Sequence, residues 1–271
     1  MQTNHSIQSS RKAVSGFSII ELMVSLVIAS FVILAVVGIY SGSRENYTTQ
    51  DEVSKLNENV RIGMGILDRS MRQGNYKRIP ITRDQNLLLV QAFSFTPVSG
   101  IAGAGTASDE IEIIYSGNSA PGTPGVPVIG PADGTIVDCV GQPISAANVS
   151  RNHFSVQMVG TTPWFGCARP NDPTITAFVP LIPDVEAFKV TYGTYSDESR
   201  TALNFTPWSG AIDPMRVVAV RLFLMFRSSA EVGAAPSSRT YQLSDQTYGP
   251  FNDRFLRTVI ERTIVIRSTA M

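Results

Sequence analysis

The sequence predicts an α+β chain in which one long N-terminal helix packs on an antiparallel sheet. Three observations predict it. An apolar run lies near the N-terminus, helical periodicity continues past that run, and alternating β-branched segments fill the rest of the chain.

The apolar run comes first. Residues 16–40 read GFSIIELMVSLVIASFVILAVVGIY, a glycine followed by 24 residues with one charge, Glu21. At about 1.5 Å per residue such a helix reaches roughly 36 Å, enough to cross a hydrocarbon core of about 30 Å. A carboxylate inside that segment costs about 2.5–3.5 kcal/mol on insertion scales, so Glu21 needs a partner or a task. Arg11 and Lys12 precede the run and no basic residue lies inside it, which predicts a cytoplasmic N-terminus and an exported C-terminal bulk. The run directly follows Gly16. A secretory signal places its small-residue cleavage site after the apolar stretch instead, so ordinary signal cleavage fits poorly.

Past a polar stretch (residues 41–50), apolar residues recur at Val53, Leu56, Val60, Met64, Leu67 and Met71, on one face of an amphipathic helix. Asp51 with Lys55 and Asp68 with Arg72 are oppositely charged pairs at i,i+4. Gly74 and Asn75 supply a helix end, and Pro80 opposes continuation. The pattern predicts one helix from about Phe17 to about Gly74, able to bend at Gly38 and Gly42. Gly63 and Gly65 lower the helix propensity of its second half, which must be supported by packing.

From about Lys77 the period changes. Strands are predicted over 110–115, 135–140, 153–159, 185–192, 217–226 and 255–266. In 217–226, Val218, Val220, Leu222, Leu224 and Phe226 share one face, while Arg221 stands among apolar residues on the other. The connections 100–134 and 169–183 are rich in Gly and Pro and read as long loops needing a function or a staple. Cys139 and Cys167 lie in the exported part, where a disulfide is the simplest reading. Zinc is the rival, but there is no CxxC and one histidine, His153, lies beyond residue 16.

Composition excludes several classes. Formal net charge is zero, which supplies no basic footprint for nucleic acid. The sequence contains no GxSxG, HExxH, P-loop or Rossmann fingerprint, so no catalytic residue, cofactor or metal is assigned. His153 reads as a partly exposed structural residue. Asp109 with Glu110 and Asp197 with Glu198 read as solvated turns, without the alternating ligands of a calcium loop. Trp164, Phe165 and Trp208 serve either as partner anchors or as core.

The basic leader, Gly16, Phe17 and Glu21 together resemble the class III leader of type IV pilins and type II secretion pseudopilins. The resemblance implies a prepilin leader at 1–16, cleaved by a prepilin peptidase, and N-methylation of Phe17. Glu21 would then neutralise the amino terminus of a neighbouring subunit when the helices bundle, turning two groups costly in lipid into one pair. Further segments are similar, in the same order, to PilW-type minor pilins. These are SRENYTTQDEVSKLNENVRIGMGILDRSMRQGNY after the anchor, the strands around the two cysteines, VEAFKVTYG, Trp208 followed by VVAVRLFL, and the last strand.

That likeness implies the type IV pilin fold, with a transmembrane and amphipathic helix over 17–76 and an exported β-rich domain over 77–271. It implies a structural protein of the inner membrane and then of the pilus, a minor pilin that primes filament assembly in a tip complex and supports twitching and adhesion. Its partners would be other minor pilins, the major pilin, the inner-membrane assembly platform, the prepilin peptidase and a tip adhesin. The alternative with the same leader is a J-type minor pseudopilin of type II secretion.

Overall fold

The computed structural model describes residues 16, 18–76, 95–120, 131–169, 177–195, 202–233 and 235–266. The chain forms two compact units that divide between Thr48 and Thr49. One helix, α1 (Ile19–Gln73), contributes to both and stays helical through Gly38 and Gly42. The rest of the second unit is β-structure: β1 (Val98–Ile101), β2 (Glu110–Ser116), β3 (Val149–Val159), β4 (Thr162–Ala168), β5 (Val179–Pro183), β6 (Val185–Tyr195), β7 (Leu203–Pro207), β8 (Val217–Arg227), β9 (Ser237–Leu243), β10 (Gln246–Asp253) and β11 (Arg257–Val265). A short 3-10 turn, Pro214–Arg216, precedes β8, with the Asp213 carboxylate accepting from the Met215 amide.

All pairings are antiparallel. One sheet runs β1-β2-β3-β4-β5, a second runs β11-β8-β6-β7, and β9 with β10 makes a separate hairpin. The two larger sheets meet through rings. Phe154 on β3 stacks on Phe165 of β4 at 5.8 Å between centroids, and Phe165 meets Phe188 of β6 edge-on at 5.1 Å.

The second half of α1 seats its apolar stripe in this core. Leu56, Met64, Leu67 and Met71 are buried beside Ile113, Phe165, Leu222 and Ile264. Val53 does not join them; it is 41% exposed, while the adjacent Glu52 is 3% exposed. Glu52 is satisfied there because it accepts from the Ala230 amide and from Lys55 Nζ, both at 3.0 Å. Gly63 is buried against β5, where an added Cβ would lie 2.6 Å from Ile182 Cδ1. Asn75, with φ of 61°, takes the left-handed turn that ends the helix, and its amide donates to the Ile114 carbonyl on β2.

Strand β8 is buried on both faces for a reason that the alternation alone did not supply. Leu222, Leu224 and Phe226 face the main core. Phe223 and Met225 form a second cluster with Ala187, Leu243 and Tyr248, under the β9–β10 hairpin.

The predicted strand over 135–140 is corrected to a turn with isolated bridges. Several of its amides are taken by side chains, and that of Asp138 by the Gln142 carbonyl, rather than by a ladder. Asp138 Oδ1 accepts from Val140 and Gln142, and Asn152 Oδ1 accepts from Cys139. The connections are also less bare than expected: β1 contains Gly100, and β5 occupies the end of 169–183.

Candidate assembly site

The N-terminal part of α1 carries the residues singled out by the sequence. Gly16 is exposed with nothing within 4 Å of a Cβ built on it, while Phe17 lies outside the described residues. The helix opens at Ser18, whose carbonyl accepts from the amides of Glu21 and Leu22. Ser18 and Glu21 have the S-x-x-E spacing of a capping box, and the carboxylate sits in the positive first turn of the helix. From Ile19 to Tyr40 every residue is exposed, and Glu21 is the one charge. The serine hydroxyls in this stretch are satisfied internally: Ser25 donates to the Leu22 carbonyl at 2.9 Å, and Ser30 donates to that of Val27 at 2.7 Å. Such a surface is stable only when lipid or other apolar helices cover it.

The cysteines are joined, Cys139 in the 135–143 turn to Cys167 on β4, with Cα atoms 6.5 Å apart. Asp138, fully buried as a side chain, pairs with Arg169 beside the bond. The two links fasten that turn to β4.

Other sequence candidates resolve into structure. His153 Nε2 lies 2.8 Å from Glu110 Oε2 across the β2–β3 pair. The solvated-turn reading of Asp109 is corrected: it is 4% exposed, paired with Lys189 Nζ at 2.9 Å, and accepts from the Gly103 and Val190 amides. Those bonds tie the loop before β2 to β6. Asp197 and Glu198 lie outside the described residues. Phe165 is core; Trp208 packs edge-on against buried Tyr192 at 4.8 Å; Trp164 is half-buried. Among the described residues no group of three or more His, Cys, Asp or Glu is placed to hold a metal ion.

The family described as Prokaryotic N-terminal methylation motif matches residues 11–37. The family described as Type IV Pilus-assembly protein W matches residues 153–268. A solved structure of a type IV-like pilin from Thermus thermophilus is similar at 14% identity, with a TM-score of 0.45, over 80% of this chain and 98% of that one. No curated protein matches the sequence. The chain is thus similar near its N-terminus to proteins with the methylation motif, and over its later strands to the type IV pilus-assembly protein W family.

Proposed function

We propose that this chain is a minor pilin that primes assembly of a type IV pilus and sits in the complex at its tip, supporting twitching and adhesion. The observation that carries the reading is the stretch from Ile19 to Tyr40, exposed throughout and charged only at Glu21, joined to a methylation motif that begins at residue 11. In this reading residues 1–16 are a leader removed between Gly16 and Phe17 by a prepilin peptidase, and Phe17 is methylated. Residues 17–76 are the anchor and spine, with the N-terminus cytoplasmic, and 77–271 form the exported domain. Glu21 pairs with the terminal amine of the next subunit. Both groups would be costly alone in hydrocarbon, and pairing favours the packed filament over the single anchor. The partners are the major pilin, other minor pilins, the assembly platform and a tip adhesin.

The test is deletion of the gene, scored for pili and for secretion together. Surface pili and twitching fall while the major pilin still accumulates in the inner membrane, and piliation returns when retraction is also disabled. Intact mass of the chain from the complemented strain begins at methylated Phe17. Normal piliation with failed release of exoproteins would select the J-type pseudopilin instead.

A further inference from the structure

The apolar stretch of α1 ends in a stripe that the assembly reading leaves without a task. Tyr40, Arg44 and Tyr47 follow one another at spacings of four and three residues, on one face of the helix over two turns. All three are exposed, Tyr40 at 69% and Tyr47 at 74%. This face therefore carries two amphipathic rings with a cation between them.

Arg44 differs from basic residues further along the helix. Lys55, Arg61 and Arg72 each meet an acid three or four residues away, at 2.7, 2.6 and 2.7 Å. The residues at those offsets from Arg44 are Tyr40, Ser41, Tyr47 and Thr48, none of them acidic. Glu45 is adjacent in sequence but points about 100° round the helix, and neighbours one apart do not face each other. The helix supplies no counter-charge on this face.

Position selects the counter-charge. The exposed run from Ile19 to Tyr40 spans roughly 32 Å as α-helix, against a hydrocarbon core of about 30 Å. Arg44 lies about 6 Å further along, at the depth of the lipid headgroups. Tyrosine is favoured at this boundary, where its ring meets apolar chains and its hydroxyl meets water. A guanidinium presents paired donors that match two phosphate oxygens. An acid on a neighbouring chain would supply charge too, but would give no reason for the two rings that bracket Arg44.

We propose that Arg44, bracketed by Tyr40 and Tyr47, binds the phosphate of a phospholipid in the leaflet on the side of the exported domain. This contact presupposes that α1 is a membrane anchor, as proposed above, and adds the group that fixes its depth. With Arg44 held there, Glu21 lies about 35 Å away along the helix, near the opposite boundary of the hydrocarbon rather than at its centre.

The full chain, with carbon-13 in its guanidinium groups, is reconstituted at low density in phosphatidylcholine vesicles. Rotational-echo solid-state NMR reads dephasing of the arginine carbons by lipid phosphorus. The wild type should show dephasing that Arg44→Leu loses. Tyr40→Ala with Tyr47→Ala should cut the Arg44 signal at least twofold, and an unchanged signal would overturn the part given to the rings. Insertion is read separately by a nitroxide on Ala29→Cys, since Cys139 and Cys167 are joined to each other. That label should lie deep in the bilayer with either residue at position 44. Equal dephasing in wild type and Arg44→Leu, with the label deep, would overturn the phosphate contact and leave the anchor standing. A label exposed to water would overturn both. An Arg44 resonance that shifts only at high protein density, without dephasing, would assign the residue to a neighbouring chain and overturn the lipid contact.

Discussion

Glu21 and Glu52 are carboxylates on one helix, and their surroundings give them different work. Glu52 is buried and holds the Ala230 amide, a contact internal to the domain. Glu21 stands on an exposed apolar surface. Glu21→Ala should therefore leave folding of the domain and membrane insertion intact, since it removes a charge worth about 2.5–3.5 kcal/mol from the inserting segment. Incorporation into sheared pilus fractions should fall on the order of tenfold, the equivalent of about 1.4 kcal/mol of lost pairing. Quantitative immunoblotting of pilus and membrane fractions checks both, and undiminished incorporation would remove the pairing argument. A second residue prediction concerns acid. Hydrogen bonds from Arg257 hold the Asp253 carboxyl below its usual range. A depressed folded-state pKa adds stability above the unfolded value of about 3.9, and that share is lost as pH falls through the folded value. Asp253→Asn should thus melt lower than wild type at neutral pH, with the gap closing as pH falls below the unfolded value of about 3.9 and the wild-type carboxylate protonates. A gap that stays constant across that range would rule out the ion pair as its source.

At the scale of elements, the two glycines in the second half of α1 have opposite reasons to exist. A Cβ at Gly65 would meet nothing within 4 Å, whereas one at Gly63 would press on Ile182, itself 1% exposed. Gly65→Ala should stabilise by up to about 1 kcal/mol through helix propensity. Gly63→Leu should destabilise by about 1–3 kcal/mol through overpacking at the β5 contact. Thermal melts of the full chain in detergent should separate them by sign, and a stabilising Gly63→Leu would disprove the close contact. The sequence pattern revealed the helix stripe and the presence of β2, β6, β8 and β11 because each repeats an apolar period. It missed β4 because Pro163 and Gly166 interrupt the run. Gly166 is there because the Val179 carbonyl would lie 2.3 Å from an added Cβ, at the register shift between β4 and β5. It missed β9 and β10 because each hides a single residue well, Leu243 and Tyr248, while Gly249 and Pro250 break the second run. Such strands are specified by the sheet they cover, not by their own alternation.

At the scale of the whole chain, the candidate site was legible because its chemistry is local. A basic pair, a glycine and one acid in an apolar run need no tertiary contact to be recognised. The cluster of Glu186, Arg227 and Phe251 was not legible, since these residues come together only after β6, β8 and the β9–β10 hairpin assemble. The disulfide lies between these cases, its compartment read from the anchor and its pairing from there being two cysteines. Its geometry explains how much should depend on it. The 135–143 turn has few ladder bonds of its own and is fixed by Asn152, by the Asp138–Arg169 pair and by the covalent link to β4. Closing a loop of about 29 residues stabilises by roughly 3–4 kcal/mol in the chain-entropy model. Cys139→Ser with Cys167→Ser should lower the melting temperature by on the order of 10 °C, at roughly 2–4 °C per kcal/mol for a domain of this size. Because a few kcal/mol also changes the fraction unfolded, steady-state protein in cells should drop several-fold. Turn residues 135–143 should lose hydrogen-exchange protection before the strands of the β11-β8-β6-β7 sheet do, since those strands do not share the link. If the double variant melts with the wild type, the turn is held by the Asp138–Arg169 pair and Asn152 alone, and Asp138→Asn then becomes the substitution that releases it.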